Sequence, residues 1–491
     1  MLKRAAISLF GIVLLLVAVL LLNTYRHGSR QINVSPFRPV AIDAGAAAER
    51  LGGAVRIRTI SYDDKPAAAE EFRKLHAYLE QHYPRAHAVL KREVVADLSL
   101  LYTWGGTDAA AKPIVLMAHQ DVVPIAPDTE KDWQFEPFSG AVRNGFVWGR
   151  GTWDDKGNLF AIMEAVEILA AQGFKPRQRI YLAFGHDEET GGETGMKQIA
   201  ALLKSRGVKA DFVLDEGLLI TTGVLKGLYQ PVALIGIAEK GFLTLTLSTG
   251  TTGGHSSMPP RNTAIGTLSA ALARLENTPM PASISGVPAQ MFDAIAPEMG
   301  LANRVLLSNL WLFGPLVRGE LEKNPGTNAM LRTTTAPTVF NAGNKDNVLP
   351  DRAEARVNFR LAPGDTQEAV IAHVVRAIDN PAVRVEPAKG AASAEASDVS
   401  PTDGGPYELI ARTVREVFTG TLVAPALMIG GTDSRHMREI TGHIFRFSPV
   451  RATAEDLPRF HGTNERMSVQ NYAELIAFYH RLMTNAARTT P

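Results

Sequence analysis

The chain has 491 residues, with 51 lysines and arginines against 50 aspartates and glutamates, so its formal net charge is +1. This balance argues against a nucleic-acid-binding protein, which usually carries a basic excess or patch. Cysteine is absent, which excludes disulfides, thiolate metal sites and a cysteine nucleophile. Any bound metal ion must therefore be held by histidine, aspartate and glutamate.

The N-terminus predicts a membrane anchor over residues 1–30. An apolar run of 18 residues, 5–22, follows Lys3 and Arg4. As a helix, such a run spans about 27 Å, close to the hydrocarbon thickness of a bilayer. No small-residue cleavage pattern follows it, which favours an uncleaved signal anchor over a cleaved signal peptide. We expect the large C-terminal part to lie outside the cytoplasm, and the protein to be secreted if the segment is cleaved. Basic residues on both sides leave the orientation open.

The next part of the chain alternates strand and helix patterns. Short apolar runs at residues 114–117, 180–184 and 212–214 each end on polar residues, and an apolar stripe at helical spacing lies between the first two. This alternation predicts an α/β fold with a mainly parallel sheet. Ligands bind outside the carboxyl ends of such strands, which is where His119, His186 and Asp215 stand.

A change of pattern at about residue 232 predicts an inserted domain. Leucines alternate with threonines over residues 243–247, as in a half-buried antiparallel strand, and another alternating strand follows at 355–361. We therefore predict four parts: an anchor at 1–30, the first part of the α/β domain at 31–231, an inserted α+β domain at 232–390, and the second part of the α/β domain at 391–491. The insert contains an unusually apolar stretch around Trp311.

Five short motifs carry acidic and histidine side chains, and their combination predicts a cation site. A glycine-rich turn before a helix can also bind phosphate, but the P-loop spacing is missing and adjacent aspartates would repel phosphate. Clustered carboxylates repel one another unless a cation neutralises them, and histidine with carboxylate ligands suits Zn²⁺ or Mn²⁺. The motifs are AHQD at 118–121, GRGTWDDKG at 149–157, DEETGG at 187–192, DEG at 215–217 and FHGTNE at 460–465.

In this order, from about residue 45 to 485, the motifs resemble the zinc exopeptidases and deacylases that include carboxypeptidase S, aminoacylase, carnosinase and succinyl-diaminopimelate desuccinylase. The stretch from Trp133 to Gly140 and the large insert look most similar to carboxypeptidase S and the N-fatty-acyl-amino-acid hydrolases/synthases. The resemblance implies an α/β catalytic domain with a two-metal site and an inserted lid or dimerisation-type domain.

The resemblance also implies a ligand set for two divalent ions, most simply Zn²⁺. Asp154 would bridge the two ions, with His119 and Asp215 on one of them and Glu189 and His461 on the other.

Further roles follow from the same resemblance. Glu188 would be the general base, and Asp121 would hydrogen-bond the second ring nitrogen of His119. His255 would donate to the developing oxyanion, in dimeric relatives from the partner subunit. The implied substrate contacts are Arg360, Asn341, Gly431, Thr432 and Arg435.

The function implied is metal-dependent hydrolysis of an amide bond next to an amino acid with a free carboxylate, in a peptide or an N-acyl amino acid. One alternative is an N-fatty-acyl-amino-acid synthase/hydrolase rather than a peptidase, and the apolar stretch around Trp311 slightly favours an acyl chain. Another is a catalytically silent receptor that keeps the fold. A single-zinc aminopeptidase is disfavoured by the adjacent Glu188 and Glu189. We expect a small-molecule or peptide substrate, membrane attachment through the anchor, no nucleic acid, and a homodimer as one option for the insert.

Overall fold

A computed structural model describes residues 2–35, 37–225 and 227–488. The helices are α1 Leu2–Arg26, α2 Ala44–Val55, α3 Ala69–His82, α4 Pro84–Val89, α5 Lys156–Ala171, α6 Met196–Ser205, α7 Ala264–Asn277, α8 Val287–Ile295, α9 Leu301–Ser308, α10 Leu310–Leu321, α11 Pro325–Leu331, α12 Gln367–Ile378, α13 Gly405–Val417 and α14 Val469–Arg488. The strands are β1 Leu90–Val95, β2 Ser99–Trp104, β3 Ile114–His119, β4 Ala141–Arg143, β5 Phe146–Trp148, β6 Ile180–Gly185, β7 Phe212–Thr222, β8 Val232–Glu239, β9 Gly241–Gly250, β10 Gly254–His255, β11 Thr334–Ala342, β12 Val348–Leu349, β13 Arg352–Leu361, β14 Arg384–Pro387, β15 Leu422–Met428, β16 Ile444–Thr453 and β17 Arg466–Ser468.

An eight-stranded sheet forms the centre of the larger unit, in the order β1-β2-β6-β3-β7-β16-β8-β15. Its central pairs β6–β3, β3–β7 and β7–β16 are parallel, whereas β1 and β2 are antiparallel additions at one edge. The three apolar runs of the sequence are its central strands β3, β6 and β7, and every residue of β3 and β6 is buried. The predicted α/β fold with a mostly parallel sheet is confirmed.

Helices cover both faces of this sheet. One face packs against α5, α13 and α14, whose buried side chains form the largest apolar cluster together with those of the strands. The other face packs against α6 and the short helical turn at residues 433–437. Because both faces are covered, the strands read as continuous apolar runs, and polar side chains appear where the strands end.

A four-stranded antiparallel sheet, in the order β11-β13-β9-β14, forms a second unit with α7 and α12 packed on one face. Leu243, Leu245 and Leu247 of β9 are buried there, as their alternation predicts. The strand β8, at which we expected the insert to begin, pairs instead with β15 of the large sheet. The division of the chain into four parts stays a prediction.

Helix α1 is the one helix in the described part of the chain that is long and apolar enough to cross a membrane. Its residues from Leu2 to Val19 are exposed, and its last turns contact α9. Its length and composition make it a candidate membrane span. A signal sequence near the N-terminus has the same length and composition.

Candidate metal centre

The carboxyl ends of three neighbouring strands bring the predicted motifs to one place. His119 is the last residue of β3 and is in register with Gly185, the last residue of β6. The acidic motif follows directly, with Glu188 opening a short helical turn. On the other side of β3, strand β7 carries Glu216 to the same edge. Parallel strands end at a common edge, so distant motifs meet there.

Two groups of side chains at this edge share Asp154. In the first, Nε2 of His119 lies 2.9 Å from Oδ1 of Asp154 and 4.0 Å from Oε1 of Glu216. In the second, Nε2 of His461 lies 2.6 Å from Oδ2 of Asp154 and 3.5 Å from Oε2 of Glu189. Each group offers three ligand atoms within 4.8 Å of one another. The two carboxylate oxygens of Asp154 thus face two different ligand sets.

Asp121 orients the first histidine and the acidic motif together. Its carboxylate lies 3.2 Å from Nδ1 of His119 and accepts the backbone N–H groups of Glu188 and Glu189, each at 3.2 Å. The carbonyl oxygen of Asp121 is also 3.0 Å from the same Nδ1. Because Nδ1 of His119 is hydrogen-bonded to Asp121, the other ring nitrogen, Nε2, faces Asp154. A carboxylate behind a metal-binding histidine fixes the ring tautomer in this manner.

A buried ion pair connects the loop that carries Asp154 with the loop that carries His461. Arg150 and Glu465 are paired inside the protein, and Arg150 also donates to the carbonyl oxygen of His461 at 2.8 Å. Oε1 of Glu465 accepts the backbone N–H groups of Gly151 and Asp154, at 2.8 and 3.3 Å. Sequence reasoning missed this positioning role, although both residues lie inside the second and fifth motifs.

The structure groups Glu216 with His119 and Asp154, whereas the assignment of Asp215 as a ligand stays a prediction. Oδ2 of Asp215 accepts the backbone N–H of Ser434 at 2.8 Å. The pairing of β7 with β16 shifts register immediately after Asp215, so that Glu216 and Gly217 form a bulge. Successive side chains on a strand point to opposite faces and a bulge re-aims them, which turns Glu216 toward His119 and Asp154.

The charges of this cluster fit a divalent cation. Burial, together with neighbouring carboxylates, raises the pKa of Glu188 to about 7 and raises the pKa values of Glu189 and Glu216 well above their ordinary range. Oε1 of Glu189 is buried without a hydrogen-bond partner in the described part of the chain. A cation removes both costs, since it neutralises the repulsion and occupies the free oxygen. The donor set, imidazole and carboxylate without thiolate, suits zinc or manganese.

Two arginines converge on one aromatic ring beside the cluster. The guanidinium carbons of Arg360 and Arg435 lie 5.8 and 5.7 Å from the centroid of the Phe242 ring. Arg435 also donates to the carbonyl oxygen of Gly191 at 2.9 Å, two residues after Glu189. Burial and the charge of Arg435 lower the pKa of Arg360. Two like charges held this close favour an anion between them.

The loop of Gly431 and Thr432 is held in place by buried polar groups. Thr432 donates its backbone N–H to Glu239 at 3.0 Å, and Glu239 also accepts from Nε of Arg446 at 3.2 Å. Thr432 is therefore occupied in bracing the loop, whereas Gly431 is partly exposed beside Arg435.

The remaining predicted residues lie apart from the cluster. His255 is exposed on β10, where its Nδ1 lies 2.8 Å from the hydroxyl of Ser257. Asn341 is exposed on β11, an edge strand of the four-stranded sheet, opposite Glu354 of β13. Within one chain, the structure does not bring His255 or Asn341 to the metal centre.

Comparison with known proteins agrees with the motif order and the fold. Residues 115–485 match the model of "Peptidase family M20/M25/M40". The chain belongs to this peptidase family. It is 42% identical to "Probable carboxypeptidase S-like 2" of Dictyostelium discoideum, over 98% of this chain and 93% of that protein. It is 41% identical to "N-fatty-acyl-amino acid synthase/hydrolase PM20D1" of Xenopus tropicalis, over 98% of this chain and 94% of that protein.

A solved structure with the same fold is the M20 family metallo-carboxypeptidase Sso-CP2 from Sulfolobus solfataricus. The TM-score is 0.64 at 17% identity, over 90% of this chain and 99% of that one. The predicted family is confirmed, and with it metal-dependent amide hydrolysis as the class of reaction. Members of the family use divalent metal ions, and the two groups around Asp154 are the candidate cluster for them.

Proposed function

We propose that this protein hydrolyses amide bonds next to an amino acid that has a free carboxylate, with two zinc ions at the cluster. The observation that carries the proposal is that two separate ligand groups share one buried aspartate, Asp154. His119 and Glu216 would complete one ion's protein ligands, and Glu189 and His461 the other's. The 3.5 and 4.0 Å separations between terminal ligands are compatible with zinc–ligand bonds of about 2.0–2.2 Å.

Glu188 is the proposed general base. When bound, divalent ions polarise the scissile carbonyl and lower the pKa of water. Glu188 then takes a proton from the attacking water and returns it to the leaving amine. Asp121 supports this role, because it accepts the backbone N–H of Glu188 and fixes where that side chain starts. Burial raises the pKa of this carboxyl group to about 7, which suits a group that both accepts and donates a proton near neutrality.

Arg360 and Arg435 are the proposed partners of the substrate carboxylate. They approach the Phe242 ring from different elements, Arg360 from β13 and Arg435 from the turn after Thr432. The support for this role is their mutual approach at Phe242 without an acidic partner between them in the contacts just described.

A substrate panel tests the proposal. The full-length protein, supplied with zinc, is incubated with dipeptides and N-acyl amino acids, and each substrate is paired with its C-terminal amide. We expect the free-carboxylate member of each pair to be hydrolysed at least about tenfold faster, because charged hydrogen bonds to arginine are lost in the amide. Equal rates within the pairs would contradict the carboxylate specificity while leaving amide hydrolysis intact.

A fatty-acyl substrate is the second candidate, favoured by the relative of Xenopus tropicalis that is named for this activity. The same panel decides between them when N-oleoyl amino acids are compared with dipeptides of the same C-terminal residue. The reverse reaction is tested by incubating a free fatty acid with an amino acid and detecting the N-acyl amino acid by mass spectrometry.

We further propose that α1 anchors the protein with its catalytic part outside the cytoplasm, or is cleaved to release it. Homodimerisation through the four-stranded sheet would allow His255 to act on the partner subunit's site. Light scattering of the detergent-solubilised protein tests the dimer. A monomer with full activity would contradict a role of His255 across subunits.

A further inference from the structure

Helix α10 exposes an apolar face that its own protein leaves uncovered. None of its 12 residues is buried. The exposed fractions of Trp311 and Leu316 are 61% and 63%, and Leu312 is also exposed. The first eight residues, LWLFGPLV, carry no charge. Single exposed apolar residues are ordinary, but a continuous apolar helix face marks an interaction site.

This face adjoins the C-terminal end of α1 through Asn309, a fully buried residue between α9 and α10. The side-chain amide of Asn309 donates to the carbonyl oxygen of Leu20 at 3.2 Å and to the hydroxyl of Thr24 at 3.3 Å. It also accepts from the amide of Asn23 at 3.0 Å and from the indole N–H of Trp311 at 3.3 Å. Trp311 therefore lies beside the last turns of α1.

The segment after α1 is also held, which fixes the direction in which the helix leaves the protein. The imidazole of His27 lies 2.8 Å from the hydroxyl of Ser308, and the backbone carbonyl oxygen of His27 accepts a hydrogen bond from Arg304 at 2.9 Å. Gln31 donates to the carbonyl oxygen of Val423 at 3.0 Å. Contacts on both sides of the helix end prevent α1 from swinging freely about its last residue.

We infer that the exposed face of α10, formed by Trp311, Leu312 and Leu316, lies in the lipid of the membrane that α1 crosses. The apolar run of α1 ends at Leu22, so the level of Leu20 to Thr24 is where hydrocarbon gives way to headgroups. Tryptophan concentrates at this level, and helices with one apolar face lie in it with that face toward the acyl chains. This placement rests on the proposed anchor and adds a second contact with the same leaflet.

Tryptophan fluorescence offers a selective test, because Trp311 is the exposed tryptophan among the five. The other four, which are buried, are Trp104, Trp133, Trp148 and Trp153. The full-length protein is reconstituted in phosphatidylcholine vesicles whose acyl chains carry bromine near the headgroup or near the bilayer centre. We expect shallow bromine to reduce the Trp311 contribution by about half or more, and deep bromine to reduce it less. Trp311→Phe should remove the quenched component.

A second variant keeps the fluorophore and removes the apolar face. Leu312→Gln with Leu316→Gln should reduce quenching of Trp311, with an unchanged far-ultraviolet circular dichroism spectrum as the folding control. Equal emission in plain and brominated vesicles, with the protein co-floating, would overturn the inference and leave the anchor standing. Protein that fails to float with the vesicles would overturn both. Emission that changes with the number of protein molecules per vesicle, but not with bromine, would mean that a second copy covers the face. That result would also overturn the inference.

Discussion

Replacing Glu216 by glutamine removes one carboxylate from the group that it forms with His119 and Asp154. The binding free energy of a four-ligand zinc site is about 10–16 kcal/mol, so each ligand contributes about 3 kcal/mol. The expected result is weaker binding of one of the two ions by a factor on the order of 100. The other group, which contains Glu189 and His461, should keep its ion.

Asp215→Asn is the matched control, since it makes the same carboxylate-to-amide change at the adjacent acid. The amide oxygen still accepts the N–H of Ser434, so we expect a loss of about 1 kcal/mol in unfolding free energy and little change in metal affinity. Both variants are dialysed against a series of buffered zinc concentrations, and bound metal per chain is measured by mass spectrometry. Normal binding in Glu216→Gln together with loss in Asp215→Asn would refute the assignment drawn from the bulge in β7.

Further predictions concern the groups that position the site and bind the substrate. Arg150→Gln leaves Glu465 buried without its charge partner and should lower the unfolding free energy by about 3–5 kcal/mol, measured by urea denaturation; an unchanged midpoint would contradict the positioning role. Asp121→Asn should weaken zinc binding about 10–100-fold and lower the unfolding free energy by about 1–3 kcal/mol, because one of the two oxygens that accept the N–H groups of Glu188 and Glu189 is lost; normal zinc affinity would show that His119 needs no such support. Arg360→Gln should raise KM about tenfold for substrates with a free carboxylate but not for their amides; equal effects on both would place Arg360 outside the carboxylate site.

The fold was predictable because its signals are local and agree with one another. The buried strands β3, β6 and β7 read as continuous apolar runs. The leucines of β9 alternate with threonines, as a strand with one buried face requires. Motif order then predicted which residues gather at the sheet edge. His119, Asp154, Glu189 and His461 do lie together.

Which acid of the DEG motif faces His119 was not predictable, because it depends on strand register. Asp215 and Glu216 are adjacent acids on one strand, and alternation sends them to opposite sides. Only the pairing with β16, and the bulge at Gly217, decides which of them faces His119.

The apolar stretch around Trp311 shows a different limit. Sequence hydropathy does not distinguish a buried helix from one that faces lipid, and the decisive contacts of Asn309 join residues nearly 300 positions apart along the chain.

Zinc content and hydrolysis, determined on the same samples of the wild-type protein and of Glu188→Gln, test the two-metal mechanism most directly. We expect two zinc ions per chain in both proteins. The rate of hydrolysis should fall about 10²–10⁴-fold in the variant, because only the general base is removed. Full hydrolysis by Glu188→Gln, or a single zinc ion per chain in the fully active wild type, would contradict this mechanism.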